Sequence, residues 1–144
     1  DQPYQKLFDV CRSHPGIAYH GSVPNEEIRR ALETSHIFSY PCIWPETSCI
    51  AALEALSART LVVAPTFGAL PETTAGFSWT YQMHEDPQTH AQTFYHALRE
   101  AIIRYNKPGV QYSLDNQKQY IDFFYSWTNR KVEWINVLES LSNT

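Results

Sequence analysis

The sequence predicts an α/β fold, a parallel sheet flanked by helices with two extra helices at the C-terminal end. Three observations predict it. Short apolar runs at residues 17–20, 36–40, 61–64 and 77–82 alternate with helical patterns. Such alternation is the signature of βαβ units, whose crossovers are right-handed. The run Leu61-Val62-Val63-Ala64 has the β-branched, wholly apolar character of a strand covered on both faces. After residue 86 the pattern turns helical and stays so to the end.

Each element follows in order. Leu7, Phe8, Val10 and Cys11 recur near helical spacing over residues 4–12, and His14-Pro15-Gly16 stops the pattern. Residues 17–20 read as a short strand, and Gly21-Ser22-Val23-Pro24 as a turn. Asn25-Glu26-Glu27 opens a helix reaching Leu32, with acids in the first turn where they complement the helix dipole. Residues 36–40 form the next strand and 41–47 a loop. A helix over 48–57 uses Ile50, Leu53, Ala55 and Leu56 for packing, and leads to the strand at 61–64.

A turn with a short helix over 67–74 and a strand over 77–82 come next. Pro87 starts a long helix in which Ala91, Phe94, Tyr95, Leu98, Ala101, Ile102 and Tyr105 keep the 3.6-residue period, until Asn106-Lys107-Pro108-Gly109 breaks it. Helices over 115–126 and 129–141 finish the chain. Tyr120, Phe123, Phe124 and Trp127 stand at i, i+3, i+4 and i+7, an aromatic stripe that reads as core. No internal repeat or low-complexity segment divides the 144 residues, so they read as a single domain. The chain opens on Asp1 rather than Met, so the expectation is an excised piece of a longer protein.

Composition excludes several classes. A hydrophobic fraction of 43% is ample for a core, and a formal net charge of −4 argues against a nucleic-acid binder, which would carry a basic stripe. No apolar run approaches the ~20 residues a membrane span requires. Cys11, Cys42 and Cys49 form no CxxC pair, and the six histidines fall singly without an i, i+4 pair, so no zinc site or disulfide framework is expected. Cys49, at a helix start, reads as a small packing residue rather than a nucleophile.

The chemistry concentrates between residues 46 and 72. In open parallel sheets ligands bind beyond the carboxyl ends of the strands. The loop over 41–47 ends one such strand and leads into a helix whose first free amides, near Ser48, Cys49 and Ile50, make an anion site suited to a diphosphate. Glu46 precedes that helix and Glu54 lies about two turns inside it, roughly 9 Å along the axis at ~1.5 Å per residue. Carboxylates accept strongly from hydroxyls, so this frame suits a central phosphate with a sugar on either side. The plain alternative is that both are solvated acids.

The pattern Tyr40-Pro41, Glu46, Glu54-Ala55, Leu61-Val62-Val63-Ala64 and Gly68-Ala69-Leu70-Pro71-Glu72 resembles the group 1 retaining glycosyltransferases, and His20-Gly21-Ser22-Val23 before a charged helix matches as well. The resemblance covers about residues 4–105. It implies a Rossmann-like part over 1–105, belonging to the C-terminal half of a GT-B fold, with helices over 111–144 added. It implies that Glu46 is the catalytic group contacting hydroxyls of the transferred sugar and that Glu54 holds the ribose. Amides around Thr47, Ser48, Cys49 and Ile50 would face sugar and diphosphate, and Ser22 and Val23 would touch the base of a UDP- or GDP-linked donor. No cofactor and no metal are implied, because helix amides and basic side chains would stabilise the leaving diphosphate.

The chain departs from the family at several points. Thr47-Ser48-Cys49 replaces a Gly-aromatic-Gly run, Arg59 stands where a Gly precedes the next strand, and Phe67 replaces the first of two glycines. The Arg and Lys that the family uses on the phosphates lie upstream of Asp1, as does the acceptor-binding domain. The expectation is therefore the donor-binding portion of a cytoplasmic or membrane-peripheral transferase, inactive as an isolated 144-residue piece. Two other readings stand beside it, a non-catalytic interaction domain that keeps the half-fold and a nucleotide-sugar epimerase of the same fold.

Overall fold

The computed structural model describes residues 2–142. Seven α-helices and three strands follow in the order α1 (Gln5–Ser13), α2 (Asn25–Thr34), β1 (Ile37–Ser39), α3 (Ile50–Ser57), β2 (Leu61–Pro65), α4 (Leu70–Thr73), β3 (Trp79–Tyr81), α5 (Pro87–Arg104), α6 (Pro108–Phe124) and α7 (Trp127–Ser142). The strands form one parallel sheet in the order β1-β2-β3, with Ile37 opposite Leu61 and Val63 opposite Trp79. The architecture is a Rossmann-like α/β layering with extra C-terminal helices.

The central strand explains the layering. Every residue of β2 is buried, and successive side chains point to opposite faces. Val62 and Ala64 pack with Ala52, Ala55 and Leu56 of α3 on one face, while Leu61 and Val63 pack with Tyr81 and with Ala101 of α5 on the other. Helix α6 serves both cores, giving Leu114 to one and Ile121 to the other. Fully burying a Leu or Val side chain stabilises by about 1.5–3 kcal/mol, so this three-layer contact carries most of the fold.

Helix α3 ends in a Schellman closure. The Thr60 amide donates to the Ala55 carbonyl at 2.9 Å and the Arg59 amide to Leu56 at 3.1 Å. Arg59 occupies the left-handed position at φ 66°, where glycine is usual. Its guanidinium reaches across to α6, 2.5 Å from the Asp115 carboxylate and 3.1 Å from Gln111 Oε1. The buried Gln117 amide donates to the carbonyls of Leu56 at 3.3 Å and Thr60 at 2.9 Å. Buried Thr60 in turn donates its hydroxyl to the Leu32 carbonyl at 2.8 Å, which ties α2 to the same junction.

Three expectations are corrected. Residues 17–20 form no strand, because no ladder partner lies beside them among the described residues; Tyr19 instead rests against Phe8 at 5.8 Å, with the Arg12 guanidinium over its ring. The aromatic stripe is not core. Phe123 and Phe124 are exposed, Tyr120 is only just so, and Trp127 is 89% exposed. Periodicity set these rings on the outer side of α6 and its end, where Tyr120 rests against Phe77 at 5.5 Å while Phe123, Phe124 and Trp127 stay exposed. Helix α6 also starts earlier than expected. Pro108 breaks α5 and then occupies the first turn of α6, where its missing N–H costs nothing.

Candidate functional site

The site lies where the chain leaves the carboxyl ends of β1 and β2. Beyond β1 the loop over 41–47 folds on the Cys42 sulfur, which lies 3.3 Å from the Trp44 amide and 3.2 Å from the Trp44 carbonyl. Ile43 and Trp44 stand exposed at the tip. Beyond β2, Gly68 adopts φ 55° and lies so close to Glu46 that an added Cβ would sit 2.7 Å from its backbone nitrogen and oxygen. The Ala69 amide donates to the Glu46 carbonyl at 2.7 Å. The second loop thus clamps the first, and Gly68 is a position only glycine fills.

The Glu46 side chain is fixed as well. The Tyr40 hydroxyl donates to Oε1 at 2.6 Å, and the Cys42 sulfur is 3.9 Å from the same oxygen. No protein donor reaches Oε2 among the described residues. Tyr40 stacks on Phe38 at 5.6 Å with an interplanar angle of 15°, so the phenol has a fixed base. Its hydroxyl is held well above the ordinary phenol range, first by the bond to Glu46, then by burial and by the neighbouring cysteines. A protonated phenol can only donate to the carboxylate. Nearby, Tyr81 is pushed up to about 12 by burial and by Cys42.

Helix α3 begins at Ile50, two residues later than the sequence suggests, because Cys49 is extended at φ −116° and ψ 95° and turns its side chain into the core beside Leu32 and Ala52. Cys49 is the N-cap and makes no side-chain capping bond. The first helical amides, Ile50 to Ala52, are therefore left without a cap, and the exposed Thr47 and Ser48 lead into them. Ser22 and Val23 lie in the turn before α2, with Gly21 at φ 67°.

Glu54 is one turn into α3. Its carboxylate accepts from Arg29 of α2 at 3.0 Å, and the Asn25 amide lies 3.4 and 3.5 Å from its two oxygens. The Glu54 side chain is 18% exposed while Arg29 is 63% exposed, so the carboxylate is shielded and its partner largely solvated. A cleft of about 660 Å³ beside it is lined by Arg29, Glu33, Glu54, Ser57, Arg59 and Lys118. Glu46 is not in that lining; it adjoins a smaller hollow of about 290 Å³ formed by Tyr40, Pro41, Cys42, Ile43 and Trp44. Glu46 and the α3 amides share the carboxyl-end loops, whereas Glu54 faces α2. Among the described residues no three His, Cys, Asp or Glu converge to hold a metal ion.

Sequence reasoning missed Tyr40, Arg29 and Asn25 as partners of the two acids. Tyr40 left a trace, being an aromatic with a polar tip that ends a strand next to the acid-bearing loop. Arg29 and Asn25 left none, since their contact with Glu54 depends on how α2 lies against α3.

The domain is a parallel α/β sheet whose carboxyl-end loops present a held carboxylate beside the uncapped start of α3, the end at which sheets of this kind generally bind ligands. The family model for glycosyl transferases group 1 matches residues 1–101, and the chain belongs to that family. Neither the curated proteins nor the solved structures compared with it gave a match. Its class is thus a glycosyltransferase domain, and sugar transfer is the activity the family defines. Among the described residues no helix is long and apolar enough to cross a membrane.

Proposed function

We propose that this chain is the donor-binding C-terminal half of a retaining GT-B glycosyltransferase that takes a sugar from a UDP- or GDP-linked donor. One observation carries the reading. Glu46 has one oxygen tied and the other free, on a loop clamped to Gly68 and adjoining the uncapped amides of α3. A donor diphosphate seated at those amides puts its sugar against Glu46, which accepts from the sugar hydroxyls as the glycosidic bond to phosphate breaks. Glu54 receives the ribose hydroxyls alongside Arg29, Ser22 and Val23 border the base, and Thr47 and Ser48 flank the diphosphate. The developing charge is met by the helix dipole and by basic side chains, without a metal.

The exposed faces of α6 and α7 support a partner. Trp127, Trp134, Ile135, Leu138 and Leu141 all stand in solvent, and α7 has no buried residue. Such a face is what an acceptor-binding domain of the same protein would cover. The same exposure also favours the second reading, an interaction domain without chemistry. The enzyme itself would be cytoplasmic or membrane-peripheral.

Titration of the full-length protein with UDP- and GDP-sugars separates the two. Saturable binding is expected, weakened about tenfold or more by Glu54→Ala, since a hydrogen bond to a charged group contributes ~1.5–3 kcal/mol. Absence of binding, or an affinity indifferent to Glu54→Ala, removes the enzymatic reading.

A further inference from the structure

We propose that Tyr40 is a positioning residue for Glu46, fixing one carboxylate oxygen so that the other is presented at the carboxyl end of the sheet; the role rests on the reading of Glu46 as the sugar contact. The backbone of Glu46 is already pinned by Gly68 and Ala69, but a glutamate side chain still has three free torsions. The Tyr40 hydroxyl removes that freedom through the 2.6 Å bond to Oε1. The phenol is itself held by the Phe38 stack, and Phe38 belongs to β1, which pairs in parallel with the wholly buried β2. A chain of fixed contacts therefore runs from the sheet through Phe38 and Tyr40 to the carboxylate. Cys42, at 3.9 Å from the same oxygen, is too long and too weak a donor to replace the phenol. Catalytic groups lose rate when misplaced by about 1 Å, because the transition state tolerates less error than binding does.

Four measurements on the full-length protein test this. In turnover of the UDP- or GDP-sugar that the protein uses, Tyr40→Phe is expected to lower kcat about tenfold, the size of one hydrogen bond to a charged group. Affinity for plain UDP or GDP, which lack the sugar, should stay within about twofold by the same bond's absence from the nucleotide contact. Combining Tyr40→Phe with Glu46→Gln should add nothing to the loss from Glu46→Gln alone, whereas a merely structural tyrosine would give additive losses. A crystal structure of Tyr40→Phe should show the Glu46 carboxylate displaced from its place beside Cys42. An undisturbed carboxylate, full kcat or additive losses would overturn the role of Tyr40 while leaving the proposed function intact. A Glu46→Gln variant with full turnover, or no turnover of any donor by the natural protein, would instead strike the proposed function, and the displacement of Glu46 in the crystal would still decide whether Tyr40 holds it.

Discussion

The two ends of α3 are built differently. At its C-terminal end the last carbonyls are taken up by the Schellman closure and Gln117, Lys118 donates to the Ser57 carbonyl at 2.7 Å, and Arg59 is paired with Asp115. At its N-terminal end Cys49 makes no side-chain capping bond to the first amides. One end is closed by α6 and holds the fold. The other is open at the loops that carry Glu46. The uncapped end beside the held carboxylate is where the proposed donor diphosphate would sit.

Left-handed residues make the same contrast. Gly68 at φ 55° and Arg59 at φ 66° share a backbone conformation. A side chain at 68 would strike the Glu46 backbone, whereas at 59 it extends to Asp115. Gly68→Ala should therefore have the largest effect, because the clash adds to the ~1–2 kcal/mol that a Cβ costs in the left-handed region. Denaturant unfolding should show a loss of about 2 kcal/mol or more, with donor affinity falling too as the Glu46 loop shifts. Unchanged stability would mean that the two loops do not touch as described.

Gln117→Leu comes next. It leaves the Leu56 and Thr60 carbonyls without the amide that serves them in the core, at a cost of about 1–3 kcal/mol. Donor affinity should not change, since the closed end of α3 carries no ligand. A loss of affinity without loss of stability would reverse the assignment of the two ends. The smallest effect is expected of Arg59→Gly. Relief of the left-handed strain, about 1 kcal/mol, offsets the loss of an exposed ion pair worth ~0–1 kcal/mol. The thermal midpoint should move by only a few degrees in either direction.

Much of this was legible in the sequence. The alternation of strands and helices gave the parallel sheet, because buried strands and amphipathic helices differ in period. Glu46 and the α3 start could be placed at the carboxyl end of β1 by chain order alone. Residues 17–20 could not be judged, because a strand exists only with a neighbour to pair with. The aromatic stripe was misjudged as core for a related reason: a period of 3.6 reports which residues share a face, not what covers it. The Tyr40 bond to Glu46 and the Arg29 bond to Glu54 are tertiary facts, fixed only once β1, α2 and α3 have packed.

The central claim is that the open end of α3 seats the donor. A crystal structure of the full-length protein with a bound UDP- or GDP-sugar tests it most directly. Diphosphate oxygens are expected about 2.7–3.2 Å from backbone amides among Ile50 to Ala52, with the sugar against Glu46 and the ribose at Glu54. A nucleotide sugar whose diphosphate lies in the cleft of Arg29, Glu33, Glu54, Arg59 and Lys118, away from the α3 amides, would contradict it.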